Sequence, residues 1–237
     1  MPDHSGDLGP RDVDMGPPRI RRERPGPLSR LFTRRQAPAM ASRSYRYLAR
    51  QIEVDLPAAD GGQAIVISSP DPLTLSNEAC LMFAHSLAAE LGSRILVVDG
   101  TLGEDGVGSA LGHAGVPGFL DVVYGVNYPM ADLIQRTHHD GVSLLPTGRT
   151  GMVQLLPIEP ARIVEFFKHA RSHYDYVLLQ QGPIFADSRY LQFASRSDMV
   201  LMLAEEGSTP VGVLDRCIEV LRGHQIANVR LVLSTPR

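Results

Sequence analysis

The chain has 237 residues and a formal charge of −3, which suits one main domain with a tail and excludes a general polyanion binder on net charge. Two cysteines, Cys80 and Cys217, are too few for a disulfide scaffold and fit a reducing compartment. No apolar run approaches the ~20 residues of a membrane-spanning helix. Of 23 basic residues 22 are arginine, so lysine chemistry would fall to Lys168 alone.

Residues 1–40 hold 7 of the 18 prolines and few apolar residues, too few to offset the entropy of ordering them. They are expected to form a disordered tail. Seven arginines between Arg19 and Arg35 face one acid, Glu23, a local charge of +6 that leaves the remainder near −9. The tail reads as a solvated charged segment, with peripheral contact to an anionic membrane face or an acidic partner as the functional alternative.

From residue 41 to 237 the pattern becomes that of a folded domain. Ser42 to Val54 is expected as a helix, with Tyr45, Leu48 and Ile52 near helical spacing. Asp60-Gly61-Gly62 breaks the chain before a strand, Ala64 to Ile67. A helix follows over Ser76 to Leu91, stopped by Gly92. The next elements are a strand at Ile95 to Val98, short helices at Phe119 to Val123 and Met130 to Arg136, and a strand at Val142 to Leu145. A helix over Pro160 to His173 turns Ile163, Phe166, Phe167 and Ala170 inward. Tyr176 to Leu179 is a strand, Asp187 to Ser195 helical, Met199 to Leu203 a strand, Val211 to Arg222 a helix and Val229 to Leu233 the last strand. Continuous apolar strands alternating with helices indicate an α/β fold, a parallel sheet with helices on both faces.

In such sheets ligands bind beyond the carboxyl ends of the strands. The loop after the first strand occupies the position of a P-loop, whose glycines wrap phosphate in backbone N–H groups and whose lysine and hydroxyl serve charge and Mg²⁺. Here it reads Ser68-Ser69-Pro70-Asp71-Pro72-Leu73-Thr74-Leu75-Ser76-Asn77-Glu78. It has no glycine and no lysine. Glu78 adds an anion that competes with phosphate for the helix N-terminus.

The layout from Ser42 to the C-terminus resembles the bacterial tyrosine kinase (BY-kinase) family, near the MinD/ParA group of P-loop proteins. Ser42-Arg43-Ser44-Tyr45-Arg46-Tyr47-Leu48 resembles the family's S-E-A-Y-R-x-L opening. Ile95 to Leu102 is similar to its h-h-h-D-x-D-L motif, Pro117 to Gly125 to P-G-L-x-D-V-L-x-G, and Leu144 to Gly148 to the strand and turn that follow. Tyr174 to Pro183 resembles Y-D-Y-V-I-I-D-T-P-P. The resemblance implies a P-loop NTPase-like fold of MinD/ParA type. It also implies a cytoplasmic protein held at the inner membrane by a polysaccharide co-polymerase, or chain-length regulator, as partner.

The departures fall on the nucleotide site. Set against the family's S-x-E-P-G-E-G-K-S-T, the loop glycines become Leu73 and Leu75, the lysine Ser76 and the metal-binding hydroxyl Asn77. The Walker B carboxylate becomes Gln180. Asp99 keeps the second acidic motif's first acid, while its partner becomes Thr101. These positions are read as a vestigial nucleotide site. Of the family's E-x-x-R-x-x-R ring motif only Arg46 stays, a candidate self-association contact. Phosphoryl transfer depends on positioning and charge neutralisation, so the joint loss implies a degenerate, pseudokinase-like protein with no catalytic residues. It implies no cofactor, ATP and Mg²⁺ being expected only if the altered site still binds them.

The expected function is that of a non-catalytic partner in exopolysaccharide, capsule or adhesive-polysaccharide synthesis and export. The alternatives are an atypical autokinase or ATPase working through Asp99 and an arginine such as Arg149, and a ParA/MinD-like positioning protein of a polar pilus or secretion machine. Lys168, off the apolar face of its helix, reads as a solvated lysine. His169 and His173, at zinc-compatible spacing, lack a third ligand, and no metal site is expected. Cys80 and Cys217 read as core residues. The acidic domain argues against nucleic acid.

Overall fold

The computed structural model describes residues 43–56, 61–72, 77–126, 128–149 and 157–234. The arginine-rich tail lies outside them. The element order is α1 (Arg43–Asp55), β1 (Gln63–Ser68), α2 (Asn77–Leu91), β2 (Ile95–Asp99), α3 (Val107–Ala110), α4 (Phe119–Val123), α5 (Met130–Leu133), β3 (Gln135–Arg136), β4 (Val142–Leu145), α6 (Pro160–Arg171), β5 (Tyr176–Gln180), α7 (Ser188–Ala194), β6 (Met199–Glu205), α8 (Val211–Gly223) and β7 (Val229–Ser234).

The seven strands run in the order β3-β4-β2-β5-β1-β6-β7. All neighbours are parallel except β3 with β4. The alternation of side chains along a strand explains the unbroken apolar runs. Ile65, Ile67, Ile95, Val97, Leu178 and Leu201 point to the face covered by α1, α2 and α3. Val66, Leu96, Val98, Leu179, Val200 and Met202 point to the other, covered by α4, α6, α7 and α8. On that second face Phe119 of α4 meets Phe166 of α6 and Phe193 of α7 edge to face, at 4.8 and 5.3 Å, a favoured ring geometry.

Two of the sequence motifs prove to be one structural unit. Phe119 N donates to Pro146 O and Leu120 N to Thr147 O, both at 2.8 Å. The buried Asp121 carboxylate accepts from Gly118 N at 2.9 Å and Arg149 N at 3.1 Å. The Pro117–Gly125 stretch thus seats its helix on the turn that follows β4.

Three expectations are corrected. The helix expected over Met130 to Arg136 stops at Leu133; Gln135 and Arg136 pair antiparallel with Leu144 and Ser143, so the sheet is not wholly parallel. Thr137 holds that turn, donating to Val142 O at 2.7 Å and accepting from His139 N at 3.2 Å; strand pairing there outweighs local helix propensity. Helix α6 ends at Arg171, leaving His173 beyond it. Helix α3 was not expected at all, its sequence being Val-Gly-Ser-Ala after Gly106.

At the β3–β4 turn the His139 ring packs tilted against that of His85 of α2, centroids 4.5 Å apart. Burial, with His85 and His138 close by, pulls the His139 pKa from 6.5 down to about 4. A histidine depressed by folding supports the fold fully above its unfolded pKa, and that support is lost as pH falls towards the folded value. Denaturant midpoints measured from pH 6.5 down to pH 4 should therefore fall, and His139→Gln should flatten the fall relative to the unmodified chain across that window.

Candidate functional site

The carboxyl ends of β1, β2 and β5 meet where Asp99 pairs in register with Gln180 and Gln180 with Ile67. This brings together four expected positions: Asp99, Thr101, Gln180 and, from the first turn of α2, Asn77. Leu73, Leu75 and Ser76 lie outside the described residues.

Asp99 is fully buried. Its Oδ1 accepts from Thr101 N at 3.1 Å and Thr101 Oγ1 at 2.5 Å, and its Oδ2 accepts from Gly108 N at 2.7 Å. Burial pushes its pKa above the ordinary carboxylate value; bonds from Thr101, Thr147 and the Gly108 and Thr101 amides pull the other way. Among the described residues these partners are hydroxyls and backbone amides, with no guanidinium or ammonium bonded to the carboxylate. A charged group taken out of water needs this much hydrogen bonding.

Gln180 uses both ends of its amide. Oε1 accepts from Val107 N at 2.9 Å, and Nε2 donates to Asn77 Oδ1. Asn77 Nδ2 in turn donates to Asp105 O at 3.0 Å. An ionised aspartate only accepts, so it could not donate to Asn77 Oδ1. Glutamine at 180 and asparagine at 77 fit each other, and neither offers Mg²⁺ a charge.

The result is a segment, 101–108, drawn down over the strand ends. The fit is close: a Cβ at Gly106 would lie 2.1 Å from Asp99 Oδ1 and 2.3 Å from Thr101 Oγ1, and one at Gly108 would lie 2.9 Å from Asp99 Oδ2. Sequence reasoning missed the glycines and Thr147. Their only sequence signal is Gly106-Val107-Gly108 a few residues after an acidic strand end, because the clash is with residues the turn brings back.

The other candidates lie elsewhere. Lys168 is exposed and lines a cleft of about 590 Å³ with Gly61, Gly62 and Arg171, at the amino end of β1, opposite Asp99. Arg149 has an exposed side chain and contributes its backbone N–H to Asp121. Arg46 stands 3.9 Å from Glu90 of the same chain, with about half its side chain in solvent. The Cys80 thiol is pushed up to about 12 by burial, with Asp99 adding to the shift, and Cys217 to about 11 by burial; both are poor nucleophiles. Among the described residues no group of three or more His, Cys, Asp or Glu could hold a metal, and no helix is long and apolar enough to cross a membrane.

In sequence and fold the chain is similar to bacterial tyrosine kinases. No protein-family model matches it. It is 26% identical over 179 residues to EpsB of Ralstonia solanacearum, named as a tyrosine-protein kinase; the match covers 73% of this chain and 23% of EpsB. The chain thus spans about a quarter of that relative's length. The kinase domain of Escherichia coli tyrosine kinase ETK superposes with a TM-score of 0.68 at 17% identity, over 81% of this chain and 75% of that one. The MinD cell division protein of Aquifex aeolicus matches with a TM-score of 0.54 at 20% identity, covering 74% and 70%. These likenesses establish a P-loop NTPase-type α/β fold.

Gly106→Ala should force the 101–108 segment off Asp99 and cost about 1–3 kcal/mol, the range for an overfilled core site. The same change at Gly103, where a Cβ meets nothing within 4 Å, should leave stability nearly unchanged. Chemical denaturation of both variants, with hydrogen exchange at the Val107 and Gly108 amides, checks this.

Proposed function

We propose that this chain is a non-catalytic BY-kinase-like protein. It binds a membrane polysaccharide co-polymerase from the cytoplasmic side and supports synthesis and export of an exopolysaccharide, capsule or adhesive polysaccharide. The observation that carries the reading is the closed polar network at the carboxyl ends of β2 and β5. Asp99 and Gln180, which stand where the resemblance puts metal-site acids, are occupied by Thr101, Val107, Gly108 and Asn77 of the same chain.

Phosphoryl transfer needs a cation on the phosphates and a metal held by anions. The loop sequence offers no lysine, position 180 is an uncharged amide, and the one acid is buried under its own loop. Each electrostatic contact of this kind is worth orders of magnitude in rate. With nucleotide binding lost, the sheet serves as a rigid platform, and the ligand is another protein. The polysaccharide assignment draws on the similarity of Pro117–Gly125 and Leu144–Gly148 to the family's motifs, which here pack together through the Phe119 and Leu120 amides. In this reading the arginines from Arg19 to Arg35 add attraction to the anionic membrane surface.

Melting the full chain with and without millimolar MgATP or MgADP tests the proposal. A nucleotide at 100 times its dissociation constant would add about 2.7 kcal/mol. The expected outcome is no shift with either nucleotide and no incorporation of labelled phosphate into tyrosine. A clear shift accompanied by tyrosine phosphorylation would replace this reading with that of an atypical kinase.

A further inference from the structure

At the β3–β4 edge of the sheet, on the face covered by α2 and α3, lies a cavity of about 70 Å³. Its floor is apolar, made by Leu81 of α2, Leu111 after α3, and Val142 and Leu144 of β4. Its mouth carries Arg136, His113 and His139. No carboxylate lines it. Asp140, the nearest acid in sequence, is exposed and lines a neighbouring cleft that Arg136 and His139 share.

The polar groups at the mouth are suited to an anion. Arg136 is exposed and, among the described residues, makes no ion pair; its backbone is fixed by pairing with Ser143. His139 packs, ring tilted, against His85. Both His113 and His139 have pKa values lowered, burial being the first cause, so at neutral pH they present uncharged rings. An apolar cavity with a few convergent polar groups and perturbed titrations is the usual form of a small-molecule site. At roughly 10–15 Å³ per water-sized occupant, the floor takes about five such groups, a short branched or aryl body.

We propose that this cavity is a binding site for a small carboxylate with an apolar body. The body lies on Leu81, Leu111, Val142 and Leu144, and the carboxylate is paired with the Arg136 guanidinium and hydrogen-bonded by His113 or His139. The site is separate from the vestigial nucleotide site and does not depend on how that site is read. Its position beside α3, the helix that supplies the Val107 and Gly108 amides to Gln180 and Asp99, makes the two regions neighbours along one element.

Benzoate serves as the probe, titrated into the full chain while the ring resonances of ¹³C-labelled histidine are followed. Saturable shifts at His113 and His139 are expected. Benzamide, of the same shape without the charge, should bind about tenfold more weakly, as should benzoate to Arg136→Gln, the loss typical of one hydrogen bond to a charged group. Leu111→Trp, which fills the floor, should abolish the shifts. The proposal is overturned if benzoate gives no saturable shift, or if benzamide and Arg136→Gln match benzoate on the unmodified chain. Should Leu111→Trp fail to fold, the amide probe and Arg136→Gln still decide the matter.

Discussion

A carboxylate buried at the end of a central strand sets the terms for this structure. Asp99 lies under the chain with no exposed surface, and such a group is tolerated only when its oxygens are bonded. Thr101 and Gly108 bond it, and they can do so only if the chain leaving β2 turns back at once. That turn places Val107 N against Gln180 and Asp105 O against Asn77. The path of 101–108, the shortness of α3 and the absence of side chains at 106 and 108 all follow from satisfying one acid.

The same bonding bears on function. In a P-loop fold the carboxyl ends of these strands are where a nucleotide and its metal would draw on acids and amides. Here the Gly108 amide is bonded to Asp99 and the Val107 amide to Gln180. The carboxamide at 180 carries no charge and brings a donor, which bonds Asn77 Oδ1. These residues form a hydrogen-bonded network that ties the sheet end to the first turn of α2 and to the 101–108 segment. A kinase-like fold does not by itself fix what its strand ends do.

A second buried acid shows the same logic in a structural setting. Asp121 accepts from Gly118 N and Arg149 N, tying α4 to the turn after β4. Gly148, with φ of +105°, passes so close that a Cβ there would lie 2.6 Å from Asp121 Oδ2. Two motifs separated by some twenty residues are therefore one packing unit, which gives a physical reason for their joint appearance.

The sequence by itself determined the layers. Apolar runs of four or five residues between amphipathic helices can be buried only in a sheet covered on both faces, and strands β1, β2, β4, β5, β6 and β7 stand where those runs are. It also determined which residue types the loop after β1 and the end of β5 can offer: no lysine or glycine in 68–78, and an amide at 180. What only the tertiary structure decided were the contacts between residues distant in the chain. The antiparallel pairing of Gln135 and Arg136 overrode a helical pattern because a backbone ladder with β4 was available. The bonds from Gly108 to Asp99 and from Asn77 to Gln180, and the gathering of Arg136, His113 and His139 around one cavity, depend on strand order and loop return. Periodicity reports which face of an element is buried; it carries no information about which distant residue will meet it there.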